Sequence, residues 1–292
     1  MRLSGRSRTF LRVGTALTLA FIYVPLLVVV VYAFSEARTF TWPPPGFTLT
    51  WFERAIDNPG ARDALWYSIK TGAFATGVAL ILGTLASLGV ARHRFFGRET
   101  ISFLVILPIA LPGIVTGIAL NSSFTQVLGM DLGLLTIVIA HATFCIVVVY
   151  NNVIARLRRM SISFEEASAD LGATPWQTFR MVTLPNLRTA LVAGGLLAFA
   201  LSFDEIIVTT FTIGAGDETL PIWILNNFSR PNQLPVVNVV AVIVILLSII
   251  PVYFAHKLSS EVDSGAGAAA PASRRSGTTR SWRWVTATAC AR

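Results

Sequence analysis

Charge is scarce in this sequence: Asp, Glu, Lys and Arg make up 13% of its 292 residues, against about 25% in an average soluble chain. So few charges cannot coat a water-facing surface, which excludes an ordinary soluble domain and points to a membrane protein. Cysteine is nearly absent as well. Cys145 stands in an apolar run and Cys290 in a polar tail, which excludes a disulfide framework and paired-cysteine metal sites. There is no Gly-x-x-x-x-Gly-Lys-[Ser/Thr] phosphate loop, so ATP hydrolysis by that route is excluded. His-Glu-x-x-His and Gly-x-Ser-x-Gly are missing too. No catalytic residue, metal ligand or cofactor is expected.

What is there is apolar: 54% of the residues are hydrophobic and the mean hydropathy is +0.67. A helix needs about 20 such residues to cross a hydrocarbon core about 30 Å thick. Six segments qualify: 13–34, 66–90, 101–124, 133–154, 189–212 and 236–254. The expected fold is therefore an all-α membrane protein with six transmembrane helices. The first segment follows Arg2, Arg6, Arg8 and Arg12. Its apolar run exceeds the ~7–15 residues of a signal peptide and no A-x-A site follows, so it reads as a retained span.

The net charge of +8 comes from arginines gathered on one side of these spans. With the N-terminus in the cytoplasm, that side holds 18 Lys and Arg, including Arg92, Arg94, Arg98, Arg156, Arg158, Arg159, Arg180, Arg188 and Lys257. The other side holds 5: Arg38, Arg54, Arg62, Lys70 and Arg230. This is the topology signal of a multi-pass membrane protein with both termini cytoplasmic, and no nucleic-acid partner is expected. The organisation is then a basic N-terminus (1–12), a six-span domain (13–258) and a tail (259–292) rich in Ala, Gly, Ser, Thr and Arg. The tail is expected to be disordered.

Two features inside the spans concern packing. Thr71, Ala75, Ala79, Gly83, Ser87 and Ala91 repeat every fourth position, a small-residue stripe that lets a second helix approach closely. Pro108, Pro112 and Gly113 interrupt the third span and predict a kink. Kinked spans line pathways, but they also occur in ordinary bundles.

The loop 155–188 is the longest on the basic side. Ser163-x-x-Glu166 and Thr174-x-x-Gln177 are two capping boxes in series, with Pro175 at the first position of the second helix. Gly172 stops the first helix, and Leu184-Pro185 is expected to close the second. Ala167, Ala169 and Ala173 keep the bend slim, while Trp176, Phe179 and Met181 offer apolar surface. Two uses fit such a bent pair: insertion into a groove on a cytoplasmic partner, or lying on the lipid headgroups.

The same residues carry a resemblance. Glu166-Ala167-Ser168, then Gly172, then Val182-x-Leu184-Pro185 resembles the EAA loop of the permease subunits of bacterial ABC importers. Ser168 replaces the usual third alanine and Val182 the usual isoleucine. The resemblance implies the importer permease fold of the methionine-uptake type in the bacterial inner membrane. It also implies a non-catalytic subunit whose loop docks on a separate ATPase dimer, with a second permease subunit, an extracytoplasmic substrate-binding protein and membrane lipid as further partners. The segments Ser202-Phe203-Asp204-Glu205-Ile206-Ile207 and Thr219-Leu220-Pro221-Ile222-Trp223 resemble spermidine/putrescine permeases in particular. Similar loops occur in permeases for iron, sulfate, thiamine and aminophosphonates. A secondary transporter or channel would leave the loop unexplained.

Asp204 and Glu205 fall in the fifth span, about 22 Å along it at about 1.5 Å per residue. A carboxylate in hydrocarbon costs about 2.5–3.5 kcal/mol on insertion scales, so such residues face a cavity or a partner. One reading is a helix-to-helix bond or an ion pair with a companion subunit. The other is attraction of a cationic cargo, which agrees with the polyamine resemblance and favours Asp204 slightly. Asn121, Ser122, His141 and Asn238 could join such a pathway; a lone His141 on an apolar helix reads as a packing residue.

Overall fold

The computed structural model describes residues 5–93 and 95–249. Among them there are no strands, only one isolated antiparallel bridge between Ser35 and Phe47. The helices are α1 (Gly5–Ala33), α2 (Thr50–Ile56), α3 (Pro59–Arg92), α4 (Arg98–Ala110), α5 (Gly113–Ser122), α6 (Leu134–Arg159), α7 (Ser163–Asp170), α8 (Pro175–Thr178), α9 (Leu184–Phe203), α10 (Ile207–Thr212), α11 (Leu220–Phe228) and α12 (Leu234–Ile249). Four continuous helices are long and apolar enough to cross a membrane: Arg6–Ala33, Pro59–Arg92, Leu134–Arg159 and Pro175–Phe203. A bent pair, Arg98–Ala110 and Gly113–Val127, supplies a fifth as one broken span. The sixth expected segment begins as the shorter α12 and runs past residue 249, outside the described residues, as do the tail 259–292 and Arg2, Arg94 and Lys257.

The centre of the bundle is α3, α6 and α9. α6 is the most enclosed of the long helices, with 61% of its apolar window buried, whereas only 11% of α1's is. Near its end α1 joins the rest of the described bundle, where Ala33 meets Trp51, Ala61, Leu220, Trp223 and Val236 in one apolar cluster. Trp51 donates its indole N–H to the Ser35 carbonyl at 2.9 Å. The exposed apolar faces elsewhere suit lipid, since only helices with internally satisfied backbones are stable in hydrocarbon.

The small-residue stripe is a packing device. Thr71, Ala75, Ala79, Gly83 and Ser87 are all buried, and α3 lies along α6 there. Ser87 donates to the carbonyls of Gly83 and Tyr150 at 2.7 and 3.1 Å. A Cβ on Gly83 would stand 3.0 Å from the Ile146 carbonyl oxygen and 3.0 Å from the Val149 Cβ. Gly83→Leu is therefore expected to cost at least about 1–3 kcal/mol by overpacking, read as a lower unfolding temperature in detergent. Gly77, on the same helix with nothing within 4 Å of its Cβ position, should accept leucine without loss.

The prolines of the third span do more than kink it. α4 and α5 meet at 104° across Leu111-Pro112, because Pro112 supplies no N–H and holds Leu111 extended. The fifth expected span is also interrupted: in place of one helix over 189–212, α9 ends at Phe203 and α10 begins at Ile207.

Candidate functional site

The loop at the arginine-rich end folds as a bent pair of helices, with two departures from the expected caps. Ser163 does not cap α7. The helix takes Ile162 as its N-cap with no side-chain bond, because the Ser163 hydroxyl turns to Ser161 Oγ at 2.6 Å. The second box forms as expected: Thr174 N–H donates to Gln177 Oε1 at 2.8 Å, and Gln177 N–H to Thr174 Oγ1 at 3.4 Å. Pro175 sits in the first turn.

Gly172 adopts φ +84°. Its N–H donates to the Ala169 carbonyl at 2.8 Å, and the Ala173 N–H donates to Ser168 O at 3.1 Å. These two bonds make a Schellman closure of α7, which needs a left-handed residue at this position. Ser168 Oγ also lies 3.0 Å from Thr178 Oγ1, so the departure from alanine there adds a tie between α7 and α8.

Leu184-Pro185 does not close the second helix. Residues 175–203 are one continuous helix of 29 residues, with a π-helical turn at Phe179–Thr183 just before the proline. Pro185 has no N–H and its ring crowds the carbonyl four residues back; the wider turn relieves both. Any displacement of α8 therefore passes directly into α9.

The contact that ties α7 to the bundle joins residues far apart in the chain and has no local signature. Arg92, at the end of α3, places Nε 2.9 Å from Glu165 Oε2 as an ion-pair contact off the hydrogen-bond line. Its Nη2 donates to Glu165 Oε1 at 3.1 Å. Thr183 Oγ1 donates to the same Oε1 at 2.9 Å. The two side chains of the pair are only 17% and 18% exposed. Glu165 thus joins α3, α7 and the root of α9, behind a cavity of about 420 Å³ lined in part by Arg92, Glu165, Ala169, Thr178 and Thr183. Glu166, Ala167, Leu184 and Pro185 face outward, and Val182 is half-buried. Leu171 (90% exposed), Met181 (75%) and Trp176 (67%) present apolar surface to solvent, which marks an interaction face.

The two helix breaks lie side by side. α5 and α10 run in the same direction: Gly113 stands opposite Ile207, and Gly117 opposite Phe211, whose ring would lie 2.6 Å from an added Cβ. Asn121 Nδ2 donates to the Phe211 carbonyl at 2.6 Å. Thr136 Oγ1 donates to the Thr212 carbonyl at 2.8 Å and anchors the far end of α10.

The break separates the roles of the two acids. Glu205 Oε1 accepts the Val208 N–H at 2.8 Å, so its carboxylate caps α10, where it also meets the positive end of the helix dipole. Asp204 is the residue that ends α9. Its side chain is exposed and has no partner among the described residues. It stands beside the last carbonyls of α9, the negative end of that helix. His141 is fully buried on α6, bonded to Ser202 and Thr209 on either side of the break. Asn238 is buried as well.

An all-helical set of spans, two of them broken at one level, with a bent helical projection fused to a broken span, defines a membrane transport permease. The model of the family of binding-protein-dependent transport system inner membrane components matches residues 79–262, and the chain belongs to this family. It is 34% identical over 232 residues to the putrescine transport system permease protein PotI of Escherichia coli K12, covering 77% of this chain and 82% of that one. It is 33% identical over 245 residues to the spermidine/putrescine transport system permease protein PotC of Haemophilus influenzae, covering 83% and 94%. The fold is that of solved importer permeases. A bacterial ABC transporter that imports alginate superposes with a TM-score of 0.66 at 19% identity, over 89% of this chain and 99% of that one. The inward-facing methionine transporter MetNI gives 0.56 at 18%, over 74% and 99%.

Proposed function

We propose that this chain forms the membrane pathway of an ATP-driven polyamine importer, with a separate ATPase gripping the loop 155–188. The observation that carries the cargo reading is the Asp204 carboxylate. It is exposed, unpaired among the described residues, and set at the C-terminal end of the apolar helix 175–203, where the chain unwinds before α10. Helix C-termini and unwound backbone at such breaks suit cations, and a polyamine leaving water needs fixed negative charge. The relatives named for putrescine and spermidine transport support the same cargo. The basic ends of the spans then lie in the cytoplasm by the positive-inside rule, which puts both termini and the bent loop on that side. A second permease subunit completes the pathway, and a loaded binding protein docks on the opposite face.

In this reading the ATPase dimer grips Leu171, Trp176 and Met181 around Glu166 and Gly172. Its closure displaces α7 and α8, and the continuous helix 175–203 carries the displacement to the break at Asp204. Asp204→Asn removes the charge and keeps the shape. Uptake of labelled putrescine by cells lacking their own polyamine importers should fall about 10- to 100-fold, the factor for losing a charged hydrogen bond of about 1.5–3 kcal/mol. Co-purification of the ATPase should be unchanged. Undiminished uptake would remove Asp204 from the pathway.

A further inference from the structure

The polyamine reading leaves a buried imidazole on α6 unused. His141 has no exposed surface. Its Nδ1 lies 2.7 Å from Ser202 Oγ and its Nε2 2.8 Å from Thr209 Oγ1. Ser202 belongs to the last turn of α9 and Thr209 to the first turn of α10, with Asp204 and Glu205 between them.

The direction of each bond follows from the hydroxyls. Thr209 Oγ1 donates its only proton to the Glu205 carbonyl at 2.8 Å, so toward the ring it accepts. Nε2 therefore carries a ring proton and donates to Thr209, and in the neutral ring Nδ1 then accepts from the Ser202 hydroxyl. The result is one continuous run from Ser202 through a neutral imidazole to Thr209 and on to the Glu205 backbone. Among the described residues no backbone hydrogen bond joins α10 to α9. Asn121 and Thr136 hold Phe211 and Thr212, the end of α10 away from the acids. At the near end, beside the Glu205 cap on Val208, His141 bridges α9 and α10 directly through Ser202 and Thr209.

We propose that His141 is a positioning residue for transport: it sets the angle between α9 and α10 and so where the Asp204 carboxylate stands. The clause about Asp204 rests on the cargo reading above; the clamp itself rests on the His141 geometry alone. Such a group acts through another residue, and its loss misplaces charge without removing it.

The test uses the assembled transporter in proteoliposomes, with labelled putrescine as probe and uptake per ATP hydrolysed as readout. His141→Leu and Thr209→Val each break the run. Each should lower uptake per ATP about tenfold, the factor for about 1.4 kcal/mol at one buried bond, while Thr209→Ser, which keeps the hydroxyl, stays near the parent. A merely structural role lowers the amount of complex and leaves the ratio of the remainder unchanged; that result in both broken variants overturns the proposal. If His141→Leu fails to assemble, Thr209→Val, nearly isosteric and with the histidine intact, decides in the same way. Asp204→Asn separates the two ideas. If it leaves the ratio intact while Thr209→Val lowers it, the cargo role of Asp204 fails and the clamp stands. If Asp204→Asn alone lowers the ratio, the clamp fails.

Discussion

Glu165→Leu is expected to lower putrescine uptake about thirtyfold while ATP hydrolysis continues. A buried ion pair broken on one side costs about 3–5 kcal/mol, and an exposed pair is worth about 0–1. At 17% and 18% exposure the Arg92–Glu165 pair lies between, and about 2 kcal/mol corresponds to a factor of about 30 in the population of the docked loop. The loss also frees Thr183, whose hydroxyl shares Glu165 Oε1. Among the described residues, α7 would then keep one side-chain hydrogen bond to a neighbouring helix, Ser168–Thr178, so ATPase closure would reach α9 through α8 alone and would no longer pull on α3. Arg92→Lys should give a smaller loss, because an ammonium cannot reproduce the two-nitrogen contact of the guanidinium. Uptake per ATP in proteoliposomes measures this. A Glu165→Leu transporter that kept its parent ratio would show that α7 does not transmit through Arg92.

Gly172→Val should reduce uptake about tenfold or more, and for a different reason. Nothing lies within 4 Å of an added Cβ at Gly172, so no clash contributes. The effect is the backbone itself: φ is +84°, and an L-residue in the left-handed region costs about 1–2 kcal/mol, with β-branched side chains worst. Relieving that strain unwinds the Schellman closure and rotates α8 away from α7. The series should therefore run Gly, Asn, Ala, Val in falling uptake, since Asn tolerates this conformation. Co-purification of the ATPase should fall in the same order. A series that followed side-chain volume instead of left-handed tolerance would reject the backbone explanation.

Several parts of this machine were legible without coordinates because their causes are local. Hydropathy over about 20 residues marks a span wherever it lies. The Thr174–Gln177 box and the Gly172 stop each depend on partners within a few residues, and both form as read. The small-residue stripe on α3 declared a close helix contact by its period of four. The failures also have local explanations. Ser163 had a second serine two residues away to bond with, and Leu184-Pro185 read as a stop because a proline usually ends a helix. A π-helical turn gave the chain another way past it.

The sequence by itself determined that this chain lives in a membrane, where most of its apolar helices lie, which end is basic, and where the exposed loop bends. Only the tertiary structure decided the roles of its charged groups. Arg92 and Glu165 are 73 residues apart and His141 is 61 and 68 from its two partners, and no periodicity links such positions. The two adjacent acids looked equivalent in a continuous helix. The break at residues 204–206, stabilised by contacts from α5 and α6, made Glu205 a cap and left Asp204 free. Local propensity writes the elements, but an ionisable side chain takes its role from whatever the fold brings within about 3 Å of it.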